Sequence, residues 1–239
     1  TAVHRHWVGG DWLEEVDRFI ALNPFARRKF VEAGLAEDRL AVKPNFIPDP
    51  GAPTAPDARA GALFVGRLSF EKGVDTLIDA WQHIPHPLTV VGSGPEEARL
   101  RATAPANVTF LGAQPPEAVQ REMARAKLLV VPSRWYENFP MTVVEAFAAG
   151  TPVVASRLGA LAEIVTDGVD GYHFAPADPQ DLAAVVNAAF ADPARLEAAS
   201  LGARATYERE LTEARNLEML ERIYTDAITH RRQRGPAKG

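Results

Sequence analysis

Short apolar runs rich in β-branched residues alternate with amphipathic helical stretches along most of this chain, and that alternation restricts the fold more than any other feature. Residues 62–65, 128–131 and 153–155 are continuous apolar runs rather than alternating ones, and 88–91 and 108–111 are interrupted only by the β-branched Thr89 and Thr109. A strand apolar on both faces must be covered on both faces, as in a parallel sheet sandwiched between helices. Helical patterns over 73–81, 96–104, 116–126 and 142–149 fill the gaps between the runs. Pro116 stands where a first-turn proline belongs, with Glu117 beside it. The expected class is α/β, a Rossmann-like doubly wound parallel sheet spanning residues 61–210, with helices at its C-terminal side.

The flanks read differently. A strand at 19–22, a helix at 24–33 closed by Gly34 and a strand at 40–42 form a separate unit covering residues 1–43. Pro44, Pro48, Pro50, Pro53 and Pro56 then crowd into a stretch unable to sustain an α-helix or a strand ladder, so 44–60 reads as a linker. Past Phe174 come helices at 178–191, opened by the N-cap Asp178, at 193–207 and at 212–230. Residues 211–239 are expected to be a closing helix and basic tail, with Leu217, Leu220, Ile223 and Tyr224 as its packing stripe. The tail His230-Arg231-Arg232-Gln233-Arg234 reads as a solvated end. Because it begins at Thr1, in what reads as the tail of a helix, the chain is expected to be a piece of a longer protein.

Charge and composition exclude several functions. A net charge of −5 disfavours nucleic acid as a partner. With no cysteine, disulfides and thiolate metal sites are impossible. No apolar run approaches the ~18 residues of a membrane span. A cytoplasmic location is expected, with contact to the inner membrane face through the arginine-rich end as an option.

In open α/β sheets ligands bind where strands end at their carboxyl termini, and three loops there are unusual. Val65-Gly66-Arg67-Leu68-Ser69-Phe70-Glu71-Lys72-Gly73 sets two cations in a strand-to-helix turn bounded by glycines. Gly66 permits close backbone approach, Arg67 can fork onto phosphate oxygens, and Lys72 supplies a compact charge beside a helix N-terminus. The same residues also suit a capped helix with solvated charges, and the P-loop spacing is absent. Val91-Gly92-Ser93-Gly94 resembles a dinucleotide fingerprint, but Glu97 occupies the place of the third glycine, and a tight turn explains it as well. The third loop, 131–140, enters a helix carrying Glu145 and places seven residues between Glu137 and Glu145. Carboxylates in a loop and in the first turn of the next helix can accept hydrogen bonds from sugar hydroxyls, one from a hexose and the other from a ribose.

The run Glu137-Asn138-Phe139-Pro140-Met141-Thr142-Val143-Val144-Glu145-Ala146, continued through Ala149-Gly150-Thr151-Pro152, resembles the E-x7-E motif of family-four retaining glycosyltransferases. The loop Gly66-Arg67…Lys72-Gly73 resembles the diphosphate clamp of that family, and 156–163 and 167–171 resemble its later signatures. The likeness extends from Asp17 to about Tyr224. It implies the C-terminal, donor-binding domain of a GT-B fold with a remnant of the N-terminal acceptor domain. It also implies that Arg67 and Lys72 neutralise the leaving diphosphate, Glu137 contacts the transferred sugar and Glu145 the ribose. Gly66, Gly92, Asn138, Phe139 and Thr142 would contribute further donor contacts, mostly from the backbone. Pro140 departs from the glycine-bearing pattern common in the family and has no N–H to give. The implied donor is a nucleotide-diphosphate sugar, used without a metal or other cofactor. The acceptor, whether glycan, lipid or small molecule, is left open.

Two alternatives compete with an active transferase. One is a nucleotide-sugar-binding fragment that transfers nothing by itself, because most of an acceptor domain is not in this sequence. The other, a nicotinamide oxidoreductase, is disfavoured by the missing third glycine and by the lack of an acidic ribose-binding residue after an early strand. His4 and His6 are a weak metal candidate, and Trp81, Phe147 and Phe190 read as core. Trp135 and Tyr136 are candidates to line a sugar pocket.

Overall fold

The structure is a computed structural model and describes residues 16–234. Its main element is a six-stranded sheet in the spatial order β5-β4-β3-β6-β7-β8, with every pairing parallel. The strands are β3 (Ala62–Val65), β4 (Leu88–Val91), β5 (Val108–Gly112), β6 (Leu128–Val131), β7 (Val153–Ser156) and β8 (Gly171–Phe174). Between them run α2 (Val74–Trp81), α3 (Glu97–Thr103), α4 (Pro116–Arg125), α5 (Met141–Ala148) and the short α6 (Leu161–Ile164). Helices α7 (Pro179–Ala191), α8 (Pro193–Glu210) and α9 (Glu213–Arg234) close the chain.

Double winding is visible residue by residue. On β3, Ala62 and Phe64 join one core with Trp81, Leu100, Phe174 and Leu182, while Leu63 joins the other with Met123, Phe147 and Tyr207. Successive side chains on a strand face opposite ways, so a run apolar at every position feeds two cores at once. The aromatic expectations hold for Trp81 and Phe147, which are buried; Phe190 is half-buried and stacks on His86 at 4.0 Å between ring centres.

A smaller unit precedes the sheet. Strands β1 (Phe19–Ala21) and β2 (Leu40–Val42) pair in parallel, with α1 (Pro24–Glu32) between them in the chain. Asn23 caps α1 by accepting from the Ala26 N–H at 2.7 Å, and Gly34 follows the helix with φ of 99°. The proline-rich stretch forms neither strand nor α-helix, only one 3-10 turn at Pro56–Ala58.

Two sequence expectations require correction here. The sheet does not end at β7: β8 extends it, and its signal was masked by a glycine and a histidine within four residues. At Gly171 any Cβ would lie 2.1 Å from the Val153 carbonyl oxygen, so the glycine is what lets β8 pair closely. The packing stripe of α9 also matches the expected one only in part. Of the four expected residues, Ile223 is buried and Leu220 half-buried, whereas Leu217 and Tyr224 are exposed and Asn216 is buried instead. Asn216 sets this face by donating to the Pro44 carbonyl at 2.6 Å and accepting from Lys43 Nζ at 3.0 Å.

Candidate functional site

Strand order reverses at β3, whose neighbours are β4 on one side and β6 on the other. The crevice at such a reversal is where open α/β sheets place ligands. The loop leaving β3 carries Lys72 at the end of a 3-10 turn, Phe70–Lys72, and the loop leaving β6 carries Glu137. Their side chains meet there: Lys72 Nζ donates to Glu137 Oε1 at 2.7 Å, and the Ser133 hydroxyl donates to the same oxygen at 2.6 Å.

Backbone contact fixes this meeting. Gly73 has φ of +65°, and a Cβ there would lie 1.9 Å from the Pro132 carbonyl oxygen. The Arg134 N–H donates to the Glu71 carbonyl at 2.9 Å, joining the same two loops. The Arg134 guanidinium pairs with Asp75 at 2.8 Å, donates to Thr76 and lies 4.8 Å from the Phe70 ring centre. The sequence reading gave Ser133 and Arg134 no role; their position between an apolar strand and Glu137 was the available signal.

Arg67 is exposed and, among the described residues, its side chain makes no hydrogen bond or ion pair, leaving its forked donors open. Gly66 and Gly92 lie against each other, since a Cβ on Gly92 would fall 1.8 Å from the Gly66 carbonyl oxygen. Gly94 meets the Leu68 carbonyl in the same way at 2.3 Å, and the Leu68 N–H donates to Ser93 at 3.0 Å. The glycines after β4 thus let two loops pack backbone to backbone. The G-x-G pair follows β4, one strand away from the reversal.

Glu145 lies in α5 as its fifth residue, in the second turn rather than the expected first, because the helix begins at Met141 directly after Pro140. Its carboxylate lines a cavity of about 560 Å³ with Thr142, Val65, Gln114, Met123 and Ile47 among the other walls. Burial pushes the Glu145 pKa up from the usual carboxylate value. The linker residues Ile47 and Pro48 and the post-β5 residue Gln114 were not anticipated as part of this wall.

Asn138 and Phe139 connect the two glutamates. Asn138 is exposed, and its carbonyl accepts from the Asn23 side-chain amide at 2.5 Å. Phe139 is half-buried and packs against the core on the α5 side of the sheet. Among the described residues, the main-chain N–H groups of Glu137, Asn138 and Phe139 make no hydrogen bond. Pro140 is the N-cap residue of α5 and so occupies a position where a missing N–H costs little. Trp135 and Tyr136 are exposed and line a shallow depression with Arg134 and Leu158, Tyr136 also packing on Phe25 at 4.7 Å.

Among the described residues no group of three or more His, Asp or Glu side chains is arranged to hold a metal ion. His4 and His6 lie outside the described residues. No described helix is long and apolar enough to cross a membrane.

The sequence model for glycosyl transferases group 1 matches residues 49–206. An exopolysaccharide phosphotransferase of Streptomyces coelicolor is 32% identical over 230 residues, covering 90% of this chain and 24% of its own length. A glycogen synthase of Mycobacterium tuberculosis is 39% identical over 165 residues, covering 63% of this chain and 38% of its own. The crystal structure of Anabaena HepE in complex with UDP and glucose superposes with a TM-score of 0.77 at 24% identity, covering 87% of this chain and 63% of that one. The chain therefore spans about a quarter to two-fifths of the length of these curated relatives.

Proposed function

From the premise that this chain belongs to the glycosyl transferases group 1 family, we propose that it is a donor-binding domain. It takes a nucleotide-diphosphate sugar and presents the glycosyl group for transfer with retention at the anomeric carbon. The observation that carries this reading is the junction of Lys72 and Glu137, 2.7 Å apart at the strand-order reversal, in a loop continuous with the helix bearing Glu145. UDP and glucose in the Anabaena relative, which shares the fold, support the ligand class.

Each residue then has a task. Glu145 and Thr142 line the nucleoside cavity, where a half-buried carboxylate accepts from ribose hydroxyls. Arg67, Lys72 and the N-terminus of α2 meet the diphosphate, and the unbonded amides of residues 137–139 complete the anion cradle. Glu137, relieved of Lys72 as the phosphates engage it, turns to the hydroxyls of the transferred sugar. Gly66 and Gly92 keep the cradle walls thin enough for backbone approach. Charge growing on the leaving diphosphate is met by fixed cations, so the reading requires no metal. The acceptor, glycan, lipid or small molecule, would enter from the side of β1, α1 and β2, which we assign to the end of an N-terminal acceptor domain. Residues 44–60 are the linker in this division. The site would face the cytoplasm, and the exposed Arg231 and Arg232 offer peripheral contact with an anionic inner membrane face.

A thermal-shift screen of UDP-, GDP- and ADP-sugars tests the reading, because a ligand of the folded state raises its melting temperature. A rise with one base class and not the others is the expected result. No rise with any at millimolar concentration would remove the proposal. The second reading, binding without transfer by this chain alone, is favoured by its coverage of only 24–38% of the curated relatives. Turnover of the bound sugar by the purified chain would eliminate it.

A further inference from the structure

Asn23 belongs to the small N-terminal unit, yet its side chain is 2% exposed and serves two elements at once. Its Oδ1 accepts from the Ala26 N–H at 2.7 Å and caps α1, while its Nδ2 donates to the Asn138 carbonyl at 2.5 Å, 115 positions along the chain. The neighbourhood reinforces this bridge: Phe25 packs on Tyr136 with ring centres 4.7 Å apart, and Arg28 pairs with Glu163.

The second bond has a geometric consequence. No described peptide is cis, and in a trans peptide the C=O and the following N–H point in opposite directions. Pinning the Asn138 carbonyl toward Asn23 therefore turns the Phe139 N–H away from it. That N–H has no partner among the described residues, and it sits two residues after Glu137. We infer that Asn23 is a positioning residue for the donor cradle: it holds the 138–139 peptide so that the Phe139 amide is presented to an anionic ligand. This rests on the donor-site reading above and adds a determinant from outside the sheet domain. The small N-terminal unit thereby sets the shape of the loop that grips the diphosphate.

The test separates cap from clamp. Asn23→Ser keeps a good neutral N-cap but is too short to reach the Asn138 carbonyl, and Asn23→Asp keeps the cap without an N–H to give. Calorimetry on the full chain compares uridine, guanosine and adenosine diphosphates with their monophosphates. For the base that binds, Asn23→Ser should weaken the diphosphate about tenfold, the scale of one charge-assisted hydrogen bond. The monophosphate should change less than about twofold, with the melting temperature preserved, as a cap-retaining change predicts. Equal weakening of both nucleotides, or no weakening, overturns the inference while leaving the donor-site reading intact. If both variants fail to fold, Asn23 is structural and the inference likewise falls. If wild type binds no nucleotide, the donor-site reading falls and this inference with it.

Discussion

Lys72 and Glu137, 65 positions apart, share a 2.7 Å hydrogen bond across the point where the sheet reverses its strand order. Side-chain exposures of 33% for Lys72 and 16% for Glu137 place the pair at the mouth of the crevice rather than beneath it. A pair so placed contributes little to stability, yet keeps a cation aimed at the crevice. Lys72→Ala should therefore cost less than about 1 kcal/mol of unfolding free energy. Loss of a charge-assisted bond should weaken nucleoside-diphosphate binding by about 1.5–3 kcal/mol, roughly ten- to a hundredfold. Urea denaturation and calorimetry on the same variant check the two halves.

Gly73 should tolerate nothing larger. Alanine there meets the left-handed backbone, at about 1–2 kcal/mol, together with a Cβ 1.9 Å from the Pro132 oxygen. Together with overpacking, about 2–5 kcal/mol of destabilisation is expected for Gly73→Ala by chemical denaturation. Wild-type stability in that variant would mean the two loops are not in contact at Pro132.

Glu145 should show a trade between stability and binding. Burial raises its folded-state pKa, so the folded chain binds a proton more readily than the unfolded one at this site. Its contribution to stability is then greatest below the ordinary glutamate value of 4.5 and declines as pH rises through the raised folded-state pKa. Glu145→Gln should accordingly melt higher than wild type at pH 7, with the gain vanishing near pH 4. The same variant should bind nucleotide more weakly. Melting curves across that range, paired with titrations at pH 7, give both readings.

Arg59 is 4% exposed and donates to the carbonyls of Thr54, Ala149 and Gly150 and to the Thr151 hydroxyl. It caps the C-terminal end of α5 with a cation, where the helix dipole favours one. Arg59→Met should leave those carbonyls buried without donors, at about 3–5 kcal/mol by the scale of a broken buried charge network. Lysine should restore only part of the loss, having one nitrogen where the guanidinium has three. Denaturant midpoints for the two variants make the comparison.

The sheet was legible because strands buried on both faces must be apolar throughout, and residues 62–65 and 128–131 satisfy that without help from distant contacts. β8 was not, because Gly171 and His173 are accommodated by tertiary partners: Val153 on one side and the Val165 carbonyl, 2.9 Å from the His173 ring, on the other. Within the site, Glu137, Glu145, Arg67 and Lys72 were nameable from loop position and motif. The bond between Lys72 and Glu137 was not, since it depends on how Gly73 and Pro132 bring two loops together. Asn23 was invisible for a similar reason: an Asn before Pro24 reads as a helix cap, and nothing local reveals that its other half reaches Asn138. The α9 stripe was legible only at Leu220 and Ile223, because the polar Asn216, bonded to Lys43 and Pro44, takes the inward place expected of Leu217.

The proline-rich stretch has a further consequence. Tyr207 donates to the Ile47 carbonyl at 3.1 Å, Arg204 grips Asp49, Arg59 ties Thr54 to α5, and Asn216 holds Pro44. A segment sewn down at four places, to α5, α8 and α9, should unravel only when all of those helices let go. Its many prolines notwithstanding, it should resist early proteolytic nicking and exchange its amides together with the terminal helices. Truncation at residue 211 would release the Asn216 stitch alone, so the other three should keep most of the stretch protected, with added cleavage confined to the neighbourhood of Pro44.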